Sequence, residues 1–398
     1  MVFASSVAFA LAGGLGALWL LPPLELVRRI GTSPSLDSIS ATPPSAEDAP
    51  RVSVVLPARN EAAHIGAWIH AARQSTWPNL ELIIVDDHST DNTGSLAHAA
   101  ADGDPRVRVV SAPDLPAGWF GKQWACQVGA ANASGTLLLF SDADTRHAPD
   151  LITRLVAART IRNAELMSVA GRQDMHTLWE WAVQPSVFAM ILLRYGGTTS
   201  LEQARQASDV IANGQCFMIS REGYDAIGQH AAVRGFVAED LMIAQAVWRS
   251  GRRVSLMRGV HQLSTRMYDS LPALMRGWGK NVYAGGRFAM RGGAVGRALY
   301  PLLLPLFPLA LLLPFVTLVA ALIATLSGSV PAQPWLLWSS IASLGVLWTF
   351  AMANRLNVDP IYRACLAPLG AAVLLAICLT AVVRGRKVEW KGRDYVAE

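Results

Sequence analysis

Apolar positions are spread unevenly along the 398 residues, and the unevenness divides the chain into three zones. Val2 to Leu21 holds no charged residue and is followed by Glu25, Arg28 and Arg29. Such a run is long enough to cross hydrocarbon once, and the basic residues behind it favour a cytoplasmic exit. A cleaved signal peptide would want a basic residue ahead of the apolar run, and none is present, so residues 1–30 read as an uncleaved anchor. Toward the other end, Leu299 to Leu326, Pro334 to Ala353 and Cys365 to Val383 are free of charge, which predicts membrane helices across residues 298–383. Pro301, Pro305, Pro308 and Pro314 predict that the first of these is kinked or broken. Three plain crossings after a cytoplasmic domain would leave residues 384–398 outside, yet this tail carries Arg384, Arg386, Lys387, Lys391 and Arg393. Charge bias outweighs parity here, and the expectation is that the proline-rich segment dips in and returns, or lies partly in the interface.

The middle zone has a different rhythm. Residues 31–50 form a Ser/Pro/Ala stretch without apolar periodicity, a linker, and residues 51–297 read as one domain. Val52 to Pro57 and Leu80 to Val85 are short β-branched runs separated by a helical stretch from Ala62 to Arg73, which implies a parallel pair. Arg106 to Val110 supplies a third strand, Lys122 to Asn132 a helix, and Thr136 to Phe140 a fourth strand. The pattern predicts an α/β domain with a Rossmann-like doubly wound half. Leu178 to Arg194 is unusually apolar, too short between Glu180 and Arg194 to span, and interrupted by Pro185. It reads as a bent interfacial helix over about 177–194, with Trp179 and Trp181 at headgroup level, or else as core. With Leu271 to Phe288 it would form the mouth for a lipid.

Composition adds two constraints. With 52% hydrophobic and only 16% charged residues the chain is too apolar for an ordinary soluble enzyme. The net charge of +5 comes from scattered or juxtamembrane basic residues, which suits anionic lipid and not nucleic acid. Cys126 and Cys216 have no metal-binding or disulfide spacing, while Cys365 and Cys378 fall in the membrane helices; buried thiols in a reducing compartment are expected.

Candidate chemistry gathers at the strand ends. Ser141-Asp142-Ala143-Asp144-Thr145 puts two carboxylates at a strand's carboxyl edge, where an open α/β sheet binds ligands and where a D-x-D holds a hard divalent cation against a diphosphate. The same motif would also serve as a solvated turn or helix cap. Val85-Asp86-Asp87-His88-Ser89-Thr90-Asp91 ends the second strand; Asp91 or Ser89 suits a helix cap, leaving Asp87 to accept the imide N–H of a uracil ring. Pro57 to Glu61 closes the first strand with polar groups where base and ribose would lie. Lys122 opens a helix after Gly121, where its ammonium and the backbone N–H groups would face a phosphate. No Gly-rich triphosphate loop is present, which disfavours a nucleotidyltransferase.

Val54 to Glu61, Ile84 to Thr93 and Ser141 to Thr145, in this order and spacing, resemble the family 2 glycosyltransferases of GT-A fold. Gly118-Trp119-Phe120-Gly121-Lys122-Gln123-Trp124 and Trp390-Lys391-Gly392-Arg393-Asp394-Tyr395 resemble its membrane-bound branch, which includes the hopanoid-associated, carotenoid-ester and ceramide glycosyltransferases. The resemblance implies a GT-A nucleotide-diphospho-sugar transferase domain between an N-terminal anchor and C-terminal transmembrane helices, on the cytoplasmic side of the inner membrane. It implies an inverting, metal-dependent hexosyltransferase that moves sugar from a UDP-sugar to a lipid hydroxyl. Asp144 would be the direct Mg²⁺ or Mn²⁺ ligand, with Asp142 on the ribose or a metal-bound water, and Pro57, Glu61, Asp87 and Lys122 would bind the donor. In Phe236-Val237-Ala238-Glu239-Asp240-Leu241, Asp240 matches the catalytic base, although Glu239 and Asp240 also suit the dipole of the helix they open. Arg276 and Trp278 occupy the place of the family's Q-x-x-R-W signature, but Gln is missing and Gly277 intervenes, a departure that favours single transfer over polymer synthesis. Asn213 and Gln215 fall where the acceptor strand begins, and His261 is a possible extra metal ligand. Competing readings are a polyprenyl-phosphate sugar transferase and a non-catalytic sugar-nucleotide-binding membrane protein.

Overall fold

The structure, a computed structural model, describes residues 2–196, 198–328 and 332–396. Two apolar helices, α1 (Val2–Ala17) and α2 (Leu21–Thr32), come first. Then follow β1 (Val52–Ala58), α3 (Ile65–Arg73), β2 (Leu80–Asp86), α4 (Thr93–Ala101), β3 (Val107–Ser111), α5 (Gly121–Asn132), β4 (Leu137–Ser141), β5 (Thr145–His147), α6 (Leu151–Arg162), β6 (Leu166–Ala170) and β7 (Arg172–Gln173). The domain continues through α7 (Leu178–Tyr195), β8 (Cys216–Ser220), α8 (Arg221–Ala226), α9 (Glu239–Arg249), β9 (Val254–Arg258), β10 (Leu263–Thr265) and α10 (Leu271–Ala289). Helices α11 (Gly293–Leu303), α12 (Leu306–Leu326), α13 (Gln333–Leu356) and α14 (Ala367–Arg384) lead to a hairpin of β11 (Lys387–Trp390) and β12 (Arg393–Val396).

The main sheet has the order β3-β2-β1-β4-β8-β6-β9. Its first four strands are parallel, as the strand–helix–strand rhythm requires, while β8 runs against both neighbours, so the whole sheet is mixed. Strands β1, β2 and β4 are buried along almost their whole length, which explains their mostly apolar sequences, and the buried Ser53 and Glu81 within them bond to each other. Their carboxyl ends deliver Pro57, Asp87 and Asp142 to one edge. A smaller sheet, β5-β10-β7, backs the turn that carries Asp144.

The linker is less free than its composition suggests. Leu36 is fully buried, Arg258 N donates to Pro34 O, and Arg154 donates to the carbonyls of Leu36 and Ile39. His261, considered as a metal ligand, pairs instead with Asp37 of this segment at 3.1 Å, and its side chain is 64% exposed. Gln262 Nε2 shares the same carboxylate at 2.9 Å.

Helix α7 packs into the core between α10 and α14. It continues as one helix past Pro185, and Thr177 and Glu180 close a capping box at its start. Val183 and Val187 pack in one cluster with Leu274, Trp278 and Val282 of α10 and Leu374 and Ile377 of α14. Among the described residues, four helical stretches are long and apolar enough to cross a membrane: Ser6–Arg29, Gly293–Leu326, Gln333–Leu356 and Ile361–Arg384. The expected break in the proline-rich stretch falls at Leu304 and Pro305, between α11 and α12. Cys126, Cys216 and Cys378 are buried, but Cys365 is exposed in the 3-10 turn before α14 and not inside that helix. Asn357, just past α13, exchanges hydrogen bonds with both backbone groups of Gln173, and the β11–β12 hairpin docks on the ends of β1 and β2. Both flanks of residues 358–386 are therefore held on the α/β domain. Residues 397–398 of the basic tail lie outside the described residues.

Candidate active site

A cavity of about 1110 Å³ runs from the strand ends to the apolar helices, lined by Pro57, Glu61, Lys122, Asp142, Asp144 and Asp240 at one end. Arg276 and Trp278 line it from α10, and Tyr300, Phe307 and Ala381 from the apolar helices. The singled-out donor, metal and base residues thus share one space, except Asp87 and His261.

The turn after β4 is held from below. Trp68 Nε1 donates to Thr145 Oγ1 at 3.1 Å, Thr145 Oγ1 donates to Asp142 O at 2.7 Å, and Ser141 Oγ meets His147 Nε2 at 2.9 Å. Burial depresses His147 to about 4, so this support is a neutral imidazole. Thr265 Oγ1 donates to Asp144 O at 3.1 Å, fixing the second carboxylate.

Lys122 does not stand free for a phosphate. Its Nζ lies 2.7 Å from Asp142 and 2.7 Å from Glu239, tying the D-x-D to the start of α9. Burial opposes both charges, but mutual attraction wins: Lys122 is raised well above its ordinary value and Glu239 is lowered. The neighbouring Asp240 has no such cation. Burial, then the Glu239 charge, raises it to about 6, and its Oδ2 accepts Gly214 N–H at 2.7 Å. A Cβ at Gly214 would come within 2.8 Å of that oxygen, so glycine is required for the approach. Of the two acids, Glu239 is ion-paired with Lys122, while Asp240 carries the raised carboxyl.

Burial, then Asp142 and Glu61, raises Asp144 to about 7. Glu61 is shared between His64 Nδ1 at 3.0 Å and Lys391 Nζ at 2.9 Å. This excess of buried carboxylate at Asp144 is the charge environment that a divalent cation relieves, and hard oxygen donors suit Mg²⁺ or Mn²⁺. Among the described residues no three ligating side chains converge, so protein would supply only part of the coordination.

The remaining candidates have internal roles. Trp278 is buried and donates to Gln184 Oε1 at 3.0 Å; Gly277 beside it leaves room for the Tyr268 ring, which would lie 2.2 Å from a Cβ there. Asn213 donates to Val169 O at 2.7 Å and to Gln215 Oε1 at 3.1 Å, so both shape the loop that presents Gly214. Neither Asp91 nor Ser89 is the N-cap of α4: that position is Asn92, and Asp91, one residue earlier, accepts from Thr93 N at 3.0 Å. Residues missed by the strand-end reading are His64, Lys280 and the tail pair Lys391 and Arg393. Lys280 lines the cavity from α10, and burial lowers it. The tail motif signalled Lys391 and Arg393, but no local pattern points to their partners.

Residues 53–228 match the profile of glycosyl transferase family 2. Two relatives named 4,4'-diaponeurosporenoate glycosyltransferase are similar: one from Staphylococcus haemolyticus, 25% identical over 59% of this chain and 61% of its own length, and one from Staphylococcus aureus, 26% identical over 59% and 61%. The chain thus spans about 61% of the length of these curated relatives. Among solved structures, a mannosyltransferase from Pyrobaculum calidifontis in complex with GDP-Man and Mn²⁺ aligns with a TM-score of 0.52 at 19% identity, covering 88% of this chain and 99% of that one. The likeness to that structure identifies the α/β domain as GT-A in fold.

Proposed function

Because residues 53–228 form a family 2 glycosyltransferase domain, we propose that the protein transfers a hexose, with inversion, from a UDP-sugar to the hydroxyl of a membrane lipid of hopanoid, carotenoid or sphingolipid kind. The observation that carries this reading is one cavity holding Asp142 and Asp144 at its polar end and Asp240 on the way to the apolar helices. Asp240 takes the proton from the attacking hydroxyl as the C–O bond to the anomeric carbon forms. Lys122 holds Asp142 and Glu239 in register, and Pro57 and Glu61 lie on the side of the base and ribose. Asp144, with Asp142, would hold Mg²⁺ or Mn²⁺, whose Lewis acidity offsets charge on the leaving group. Radiolabelled sugar transfer from UDP-glucose or UDP-galactose into extracted lipids, with mass spectrometry of lipids from cells with and without the protein, tests the reading. No new glycolipid in either assay would overturn it.

The acceptor path follows from α7 and α10. Phe188 meets Trp278 with ring centroids 5.9 Å apart, and both Phe188 and Ile191 line the cavity while being only partly buried. Changing Phe188 and Ile191 together to Ser should lower transfer to a long-chain lipid by about 10-fold or more, since each truncation removes apolar contact worth about 1–2 kcal/mol. Transfer to a short soluble analogue should change little. Equal loss with both acceptors would assign the two residues to the core alone.

The membrane arrangement is part of the proposal. With both flanks of 358–386 on the α/β domain, α14 is the segment that does not cross, in place of the proline-rich one, and α1–α2, α12 and α13 are the crossings. The hairpin and the catalytic domain then share the cytoplasmic side, as the basic residues of the tail favour. A cysteine at Arg386 should resist an impermeant maleimide in intact cells and react after permeabilisation; labelling in intact cells would refute this placement.

A further inference from the structure

The donor reading gives Asp87 the ring N–H of a nucleobase, but the β11–β12 hairpin already holds that carboxylate. Arg393 donates from Nη1 to Asp87 Oδ2 at 2.6 Å and from Nη2 to Oδ1 at 3.3 Å. Asp87 is 1% exposed and lies outside the cavity lining. The turn of the hairpin grips the end of β1: Lys391 Nζ donates to Asn60 O at 3.1 Å, and Arg59 Nε donates to Lys391 O at 3.3 Å. Its apolar seat is small, with Val388 against Phe120 and the Tyr395 ring stacked on Phe120 at 4.2 Å. A two-stranded hairpin is marginal on its own, so its docked position depends on this seat and on the ion pairs with Asp87 and Glu61.

We infer that the hairpin Lys387–Val396 is a strap over the base subsite that excludes a nucleobase while it is docked on Asp87 and is displaced when a nucleotide binds; this rests on the glycosyltransferase reading above. A guanidinium and a ring N–H donate to the same carboxylate oxygens and exclude one another. Asp87 trades a charge-assisted pair for a neutral ring N–H, so opening the strap draws on part of the nucleotide's binding free energy.

The test uses the full chain in detergent with UDP and Mn²⁺ as probe, following hydrogen exchange in residues 386–396 and UDP affinity by calorimetry. UDP should raise exchange in the strap of the wild type. Arg393→Ala should show that raised exchange without nucleotide and bind UDP about 5- to 20-fold more tightly, since the closed state no longer competes. CDP, whose ring N3 carries no hydrogen, should open the strap less than UDP. Unchanged or greater protection with UDP, an equal response to CDP, or weaker UDP binding by Arg393→Ala would each overturn the strap; the last would make the tail cations donor ligands. Failure of UDP and GDP to bind both proteins, with the strap of Arg393→Ala already open, would remove the donor reading and the strap together.

Discussion

Replacing Asp240 with asparagine should lower turnover by about 100- to 10,000-fold while UDP affinity stays within a few-fold, because the amide keeps the shape but cannot accept the acceptor's proton. Asp240 is the better base because burial and Glu239 raise it to about 6, whereas Lys122 keeps Glu239 ionised and engaged. A base must be deprotonated to act, so wild-type kcat/KM should be level above about pH 6 and fall as pH drops through that value; the residual activity of Asp240→Asn should lack this limb. Loss of fold is not expected. A carboxyl raised in the folded state above its unfolded value favours folding below the unfolded pKa, and that contribution is lost as pH rises through about 6. At neutral pH the ionised form therefore opposes folding, and an uncharged amide should hold or raise the melting temperature. Near-normal turnover in Asp240→Asn would remove the residue from the base role and point to an acceptor that is already ionised, such as a carboxylate or phosphate.

Asp144→Ala should cost at least about 100-fold in activity, corresponding to several kcal/mol of lost charge stabilisation at the leaving diphosphate. Excess Mn²⁺ should restore it only in part, since Asp142 is already engaged by Lys122. Asp144 is raised to about 7 by burial, Asp142 and Glu61, so cation and proton compete for it. Metal affinity of the wild type should weaken as pH falls below about 7, and binding at pH 7 should release about half a proton, rising toward one at lower pH, measurable by calorimetry in buffers of different ionisation enthalpy. Full-rate turnover by EDTA-treated wild type would overturn the metal assignment.

What the sequence conveys well is local. β1, β2 and β4 are legible because each is buried on both faces and therefore written as an apolar run, and the acids that follow them must emerge at the carboxyl edge. Asp142 and Asp144 line the cavity for that reason, whereas Asp240 reaches it from the start of α9. What escapes is the set of pairings between distant positions. Asp87 faces Arg393, 306 residues away, and His261 faces Asp37, 224 away; neither spacing has a local signature. The break in the Q-x-x-R-W signature has a steric origin in the Tyr268 ring over Gly277, which no single-chain pattern conveys. Likewise, α14 has the composition of a crossing helix, and only Asn357 on Gln173 together with the docked hairpin ties both its flanks to the α/β domain.

Arg59 and the Lys391 carbonyl it contacts are 332 residues apart, which makes completion of the donor site a late event in the life of the chain. Domains fold from the N-terminal side during synthesis, so β1 to β4 and their acids can assemble while the helices behind them are still being made. Until the hairpin has emerged, Glu61 lacks Lys391 and Asp87 lacks Arg393, and on the proposed reading the base subsite stands open. A nascent chain stalled after α10 would carry the acids of the D-x-D and of α9 without a finished cavity wall, so nucleotide handling by the half-made protein would be uncoupled from its lipid. Membrane insertion and catalytic maturation are on this account one event, and a soluble fragment ending near Arg297 would reproduce the intermediate and not the enzyme.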